Sequence, residues 1–556
     1  MIRWTTQVGP SHWYHYTELS SYFDVAGSYA LLGAKVPRDS TVAQKLRAAG
    51  AILLGKSSVS EWAYNRSLNS SNGWSAQAGQ VTSPYYRNGD PEGSSSGSGV
   101  ASAWVEEIDL GRQLKLCRLG LALGCLGTET DGSIVLPSSF NDIVGIKPSA
   151  SNGQDRSWAY DVTDPAVAVG LTSRHLVIPI SQHQDTVGPL ARTVKDAAYI
   201  LQAIAGTDPR DNYTNAIPDE VIPDYVSACN LSALSGARLG VPSNVIELLS
   251  TNTTGPVLKA FDKALQVMHA AGATIVIDAN FTAADEFWTS KLSAIVLNAD
   301  FVVDLQSYFE SLTYNPRNIT SLADLREFTH TFPLEEYPLR DTGIWDQALS
   351  NWNNTDPNFW PAYQQNLYYG EEGGVLGALE RNGLDGVVLP TDFASHWAAP
   401  VGSPIISVPL GYYPSGTPVV KNSWGLVTSG PNVPQVITMQ QRSYSDCITG
   451  SALASLAPSS LNPSSSVWRT HLNRGQRWGT RCGRISSREL SWETWSAATR
   501  MQLDRLCSAT ISRVEDHQGI FARGVSTFDA ALHSTNDSSY YSRASHFALS
   551  CETRHY

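Results

Sequence analysis

From about residue 25 to residue 434 the chain repeats one pattern, an amphipathic helical stretch followed by a short, continuously apolar run. A chain written this way is expected to be α/β, a sheet sandwiched by helices. Ser40 is placed to cap a helix that carries Val42, Leu46 and Ala49 on one side. Gly50 closes that helix ahead of an expected strand, Ala51-Ile52-Leu53-Leu54. Thr193 caps a second helix with Val194, Ala197, Ile200, Leu201 and Ile204 on one face, ending at Gly206. A third unit runs from Pro256 through Phe261, Leu265 and Met268 to the strand Thr274-Ile275-Val276-Ile277. Later strands are expected at Gly386-Val387-Val388-Leu389 and Ile405-Ile406-Ser407-Val408. With 556 residues, 42% of them hydrophobic and 16% charged, the chain can bury a large core. The net charge of -12 argues against nucleic acid as a partner. No long apolar run suggests a membrane span, and the opening Met1-Ile2-Arg3-Trp4 has no apolar signal core. The seven cysteines show no metal-ligand spacing, so zinc is not expected.

Chemistry concentrates at Gly127-Thr128-Glu129-Thr130-Asp131-Gly132-Ser133-Ile134, which comes after the apolar run Leu121 to Leu126. A serine on a small-residue turn can act as a nucleophile while neighbouring backbone N–H groups bind an oxyanion. Upstream lies the serine cluster Gly93-Ser94-Ser95-Ser96-Gly97-Ser98-Gly99. Downstream come Val144-Gly145-Ile146-Lys147-Pro148 and Asp185-Thr186-Val187-Gly188-Pro189-Leu190-Ala191-Arg192. Together these segments resemble the amidase signature family, hydrolases that use a Ser–cis-Ser–Lys triad. The stretch Val169 to Arg174, with Pro179-Ile180-Ser181 and Asp185, is most similar to the peptide-amidase-like branch.

The resemblance implies one large mixed sheet between helices and an amidase that hydrolyses carboxamide C–N bonds, with no metal or organic cofactor. It makes Ser133 the nucleophile, and gives the N–H groups of Thr130, Asp131, Gly132 and Ser133 to the oxyanion hole. Ser94 becomes the bridging serine, with Ser95 the alternative one register away. The cluster also fits a Gly-x-Ser-x-Gly elbow, but that needs a strand before it, and Ser83 to Glu92 is polar and turn-forming. The family's base is a lysine in a Gly-x-Pro-x-x-x-Lys-Asp type segment; residues 1–34 contain no lysine. Lys56 matches a different family position and is expected to be structural. Without a base the serine is a poor nucleophile, so the chain as written is expected to be inactive or nearly so. Asp185 and Arg192 are read as capping and ion-pairing residues. Val135 stands where many family members carry arginine. The implied partner is a small-molecule or peptide amide substrate. Two rivals are a catalytically dead amide-binding protein and the ammonia-supplying component of a tRNA-dependent amidotransferase.

The resemblance covers residues 25–434, and four segments depart from it. Residues 1–24 lack the lysine-bearing segment and the family's first helices. Residues 105–119 and 150–168 read as insertions, because removing either restores the family pattern across the join. Residues 435–556 hold 13 arginines, no lysine and 22 serines, and read as a poorly ordered Ser/Arg-rich tail. Translated introns and an out-of-frame end would produce these features. Eight Asn-x-Ser/Thr sequons precede residue 435, at Asn65, Asn69, Asn212, Asn230, Asn252, Asn280, Asn318 and Asn353, which suggests a secreted glycoprotein. Sequencing the spliced message is expected to drop both insertions; finding all of these segments in frame would refute the intron explanation.

Overall fold

The computed structural model describes residues 26–441, apart from 104–107, 110–114, 117–120, 151–169, 218–221, 231, 252–253 and 432. The aberrant N-terminal segment 1–24, nearly all of the second insertion and the tail beyond 441 therefore lie outside the described residues. Of the first insertion, Ile108–Asp109 and Lys115–Leu116 are described and pair as a two-stranded antiparallel ribbon.

An eight-stranded mixed sheet organises the chain. Its strands are β1 (Gly124–Glu129), β2 (Val144–Lys147), β3 (Thr186–Ala191), β4 (Arg238–Val241), β5 (Thr274–Ile277), β6 (Gly386–Pro390), β7 (Ile405–Tyr412) and β8 (Pro434–Gln441). They lie in the order β1-β3-β2-β7-β8-β6-β4-β5. Neighbours from β1 to β6 pair antiparallel, whereas β6, β4 and β5 run parallel. The parallel part is the one built from strand–helix–strand units, which need a crossover helix such as Gly255–Ala270 between β4 and β5. β8 sits between β7 and β6, so sheet pairing runs on to Gln441, past the limit at 434 set by the resemblance.

Alternation along the strands separates two cores. Val388, Ile406 and Val408 join one cluster with Val42 and Leu46 of helix α1 (Thr41–Ala48) and Leu201 and Ile204 of the helix Val194–Ile204. Their neighbours Val387, Leu389 and Ile405 point the other way, into a cluster with Val135, Phe281, Phe287 and Trp397. Successive side chains of a strand face opposite sides, so a sheet buried on both faces needs continuous apolar runs.

Most expected elements form. The Thr193 side chain accepts from the Asp196 N–H at 3.1 Å and opens the helix Val194–Ile204, which stops before Gly206 at φ +110°. The expected strand at Ala51–Leu54 does not form; these residues are an extended link with Ala51, Leu53 and Leu54 packed against the first core. Among the sequons, Asn69, Asn212, Asn230 and Asn318 are exposed, while the Asn65 side-chain nitrogen is buried.

The tightest point of the sheet is Gly188, midway along β3 between β1 and β2. A Cβ there would lie 2.0 Å from the Ile146 carbonyl oxygen and 2.6 Å from the Pro148 ring. Gly188→Ala is expected to destabilise the fold by about 1–3 kcal/mol or more through overpacking, read as a lower urea midpoint. An unchanged midpoint would show that the sheet can open there.

Candidate active site

The end of strand β1 presents the turn Thr130 to Ser133, and Val135 begins a short helix, Val135–Phe140. Gly132 makes the turn with φ +86°, a backbone state that side chains disfavour. Glu129, 1% exposed, fixes the start of that helix: its Oε2 accepts the N–H of Ile134 at 2.7 Å and of Val135 at 2.9 Å. Those are first-turn donors that a helix cannot satisfy itself. By contrast, the N–H groups of Asp131, Gly132 and Ser133 donate to no other described residue. The N–H of Thr130 likewise has no acceptor among the described residues, so the turn leaves a row of backbone donors open beside the Ser133 hydroxyl.

A buried carboxylate needs a counter-charge. Lys147, 0% exposed at the end of β2, supplies it and donates from Nζ to the Ser403 carbonyl at 3.0 Å. Burial pushes the Lys147 ammonium down to about 8 against the opposing pull of Glu129, Asp131 and Asp185. Burial pushes Glu129 up, while Lys147 and the two backbone N–H groups draw it back.

The serine cluster reaches the same turn. The Ser95 N–H donates to the Ser133 carbonyl at 3.1 Å, which sets the cluster beside the Thr130–Ser133 turn. Ser95 Oγ donates to the Thr128 carbonyl and accepts the Thr128 N–H, both at 3.2 Å. Gly127 makes room, since a Cβ there would meet Ser95 Oγ at 2.6 Å. Ser94 is 2% exposed, its carbonyl accepts the Ser60 N–H at 2.9 Å, and the Gly93–Ser94 peptide is cis. Among the described residues, neither the Ser94 nor the Ser133 hydroxyl takes a hydrogen-bond partner. No strand leads directly into the cluster, as a nucleophile elbow would need; Ser96–Ser102 continues from it as a helix.

Two further residues hold the turn. Thr130 Oγ1 donates to Asp185 Oδ1 at 2.5 Å, and Asp185 Oδ2 caps the N–H groups of Ile180 and Ser181 at 2.7 and 3.1 Å. Burial pushes Asp185 up to about 6. Capping is expected of Asp185; its bond to the turn is not. Asp131 Oδ2 lies 2.5 Å from Nδ1 of His396, a residue that nothing in its local sequence singles out. Lys147 was legible in principle, because a lysine inside the apolar strand Val144–Lys147 must be paired. Val135 is fully buried, so its side chain faces the core. Lys56 is exposed, and Arg192 donates to the Ser102 and Ala122 carbonyls. Among the described residues no cluster of histidine, cysteine or carboxylate could hold a metal ion, and no helix is long and apolar enough to cross a membrane.

Lys147→Met strands a buried carboxylate, so it is expected to destabilise the protein by about 3–5 kcal/mol in urea denaturation. Lys147→Met combined with Glu129→Gln is expected to recover part of that loss. Additive losses would mean the two charges do not interact.

The family model described as Amidase matches residues 22–397. A protein of Arthroderma benhamiae named "Putative amidase" is 52% identical over 410 residues, which cover 74% of this chain and 63% of that protein. The chain thus spans somewhat less than two thirds of that relative. A protein of Arabidopsis thaliana named "Probable amidase" is 33% identical over 419 residues, 74% of this chain and 71% of its own. The crystal structure of native peptide amidase from Stenotrophomonas maltophilia superposes with a TM-score of 0.63 at 29% identity, covering 78% of this chain and 80% of its own. On its match over well over half its length, and on its fold, the chain belongs to the amidase signature family.

Proposed function

We propose that the chain is an amidase site for carboxamides, with Ser133 as nucleophile and Ser94 as proton relay. The observation that carries this reading is the docking of the Ser94–Ser95 segment on the Ser133 carbonyl, beside the open N–H donors of the turn. Ser133 Oγ adds to the amide carbonyl carbon, and its proton passes through Ser94 to a base. The carbonyl oxygen, now negative, takes the N–H groups of Asp131, Gly132 and Ser133. Collapse breaks the C–N bond, the proton returns to the departing nitrogen, and water then hydrolyses the acyl-enzyme. Between the two candidates for the relay, the hydrogen bonding favours Ser94, since the Ser95 hydroxyl is occupied by Thr128.

The base in this scheme is a lysine, and residues 1–34 contain none. Lys147 is engaged by the Ser403 carbonyl and by the charge of Glu129, so we assign it to holding the turn. A second reading has the same turn bind an amide without cleaving it.

Ammonia release from benzamide separates the two readings. Residues 1–556 alone are expected to turn over about 10²–10⁴-fold more slowly than a chimera whose N-terminus is replaced by a Gly-x-Pro-x-x-x-Lys-Asp segment of the kind the family resemblance implies. Ser133→Ala is expected to abolish turnover in both. A chimera that binds benzamide without releasing ammonia would establish the binding reading, and turnover surviving Ser133→Ala would remove Ser133 as nucleophile.

A further inference from the structure

Asp131 poses an electrostatic problem for the proposed chemistry. It lies in the turn itself, two residues before Ser133, and its own N–H is one of the open donors. An ionised carboxylate so close would repel the negative oxygen that the turn is to stabilise. His396 answers this from far along the chain. It belongs to the short helix Ser395–Ala398, and its Nδ1 meets Asp131 Oδ2 at 2.5 Å. Resting on the reading of Ser133 as nucleophile, we propose that the His396 imidazolium is a positioning residue that pins the nucleophile turn and neutralises Asp131 beside the oxyanion site.

The surroundings are consistent with that charge state. Asp131 raises the His396 pKa above its ordinary value against the opposing effect of burial. Burial works to raise Asp131 in turn, but the His396 charge and hydrogen bond hold its carboxyl below the ordinary value. The other groups facing the pair are Glu129 from β1 and Lys147 from β2, which push Asp131 in opposite directions, and the Trp288 ring, 6.3 Å from the imidazole. The Ser395 hydroxyl and Lys147 also hold Asp131 down, each less than His396 does. The His396 side chain is 50% exposed and that of Asp131 28%. Because the His396 pKa is raised, the pair is intact below that folded-state value and is lost as pH rises through it.

The test needs no turnover. Phenylboronic acid forms an Oγ–B bond with a serine, releasing the hydroxyl proton to buffer, and leaves a tetrahedral anion in the oxyanion site. At pH 7, His396→Gln is expected to weaken the adduct about tenfold. Asp131→Asn combined with His396→Gln is expected to restore affinity to within about threefold, because both charges are then gone. Histidine NMR should place the His396 pKa above the ordinary value in the unaltered chain and lower it in Asp131→Asn. Equal boronate affinity in all three proteins, or a His396 titration indifferent to Asp131→Asn, would overturn the inference. Absence of any Ser133 adduct in the unaltered chain would instead overturn the nucleophile assignment beneath it.

Discussion

The Glu129 carboxylate is the contact on which the site's geometry rests. A strand that turns into a helix leaves a row of backbone N–H groups without intrahelical partners. Glu129 takes those of Ile134 and Val135 and so fixes where the helix begins. The N–H groups just before them are left directed away from the protein's own acceptors. Burying that carboxylate is costly, and Lys147 on the adjacent part of the sheet offsets the cost. The arrangement depends on antiparallel pairing at this end of the sheet, since β1 and β2 both flank β3 and bring residues 129 and 147 together.

Around this pair the turn is held from several sides by segments distant in sequence. Ser95 fastens it to the serine cluster, Asp185 takes the Thr130 hydroxyl, and His396 takes Asp131. Each tie uses a polar group that would otherwise be wholly or partly buried without a partner, which is why the turn can be fixed without a large apolar contact. Within the sheet, close backbone approach at Gly127 and Gly188 lets the serine cluster and the neighbouring strands come near enough to make these ties.

Local patterns in the sequence carried the helices and most strands, because periodicity reports which face of an element is buried. Where the pattern was short and bounded by glycine, as at Ala51–Leu54, the residues found apolar contacts and a single β-bridge at Ile52, and remained an extended link. The small-residue turn before Ser133 and the serine cluster at Ser94–Ser98 were legible from residue type and spacing. The Glu129–Lys147 pair was half visible, as a lysine in an apolar strand. Nothing local distinguished His396 from the other histidines, since its partner lies 265 residues away.

The sequence by itself determined the α/β class, the small-residue turn that exposes Ser133, the Ser94–Ser95 cluster, and the lack of lysine in residues 1–34. Those properties come from residue type and spacing over a few positions, where sterics and hydrogen-bonding capacity act locally. Only the tertiary structure decided which hydroxyls are occupied and which N–H groups stay open. It also decided which charges face each other: Glu129 with Lys147, and Asp131 with His396. Coulombic and hydrogen-bond energies depend on distances across the fold, and packing of the whole sheet sets those distances.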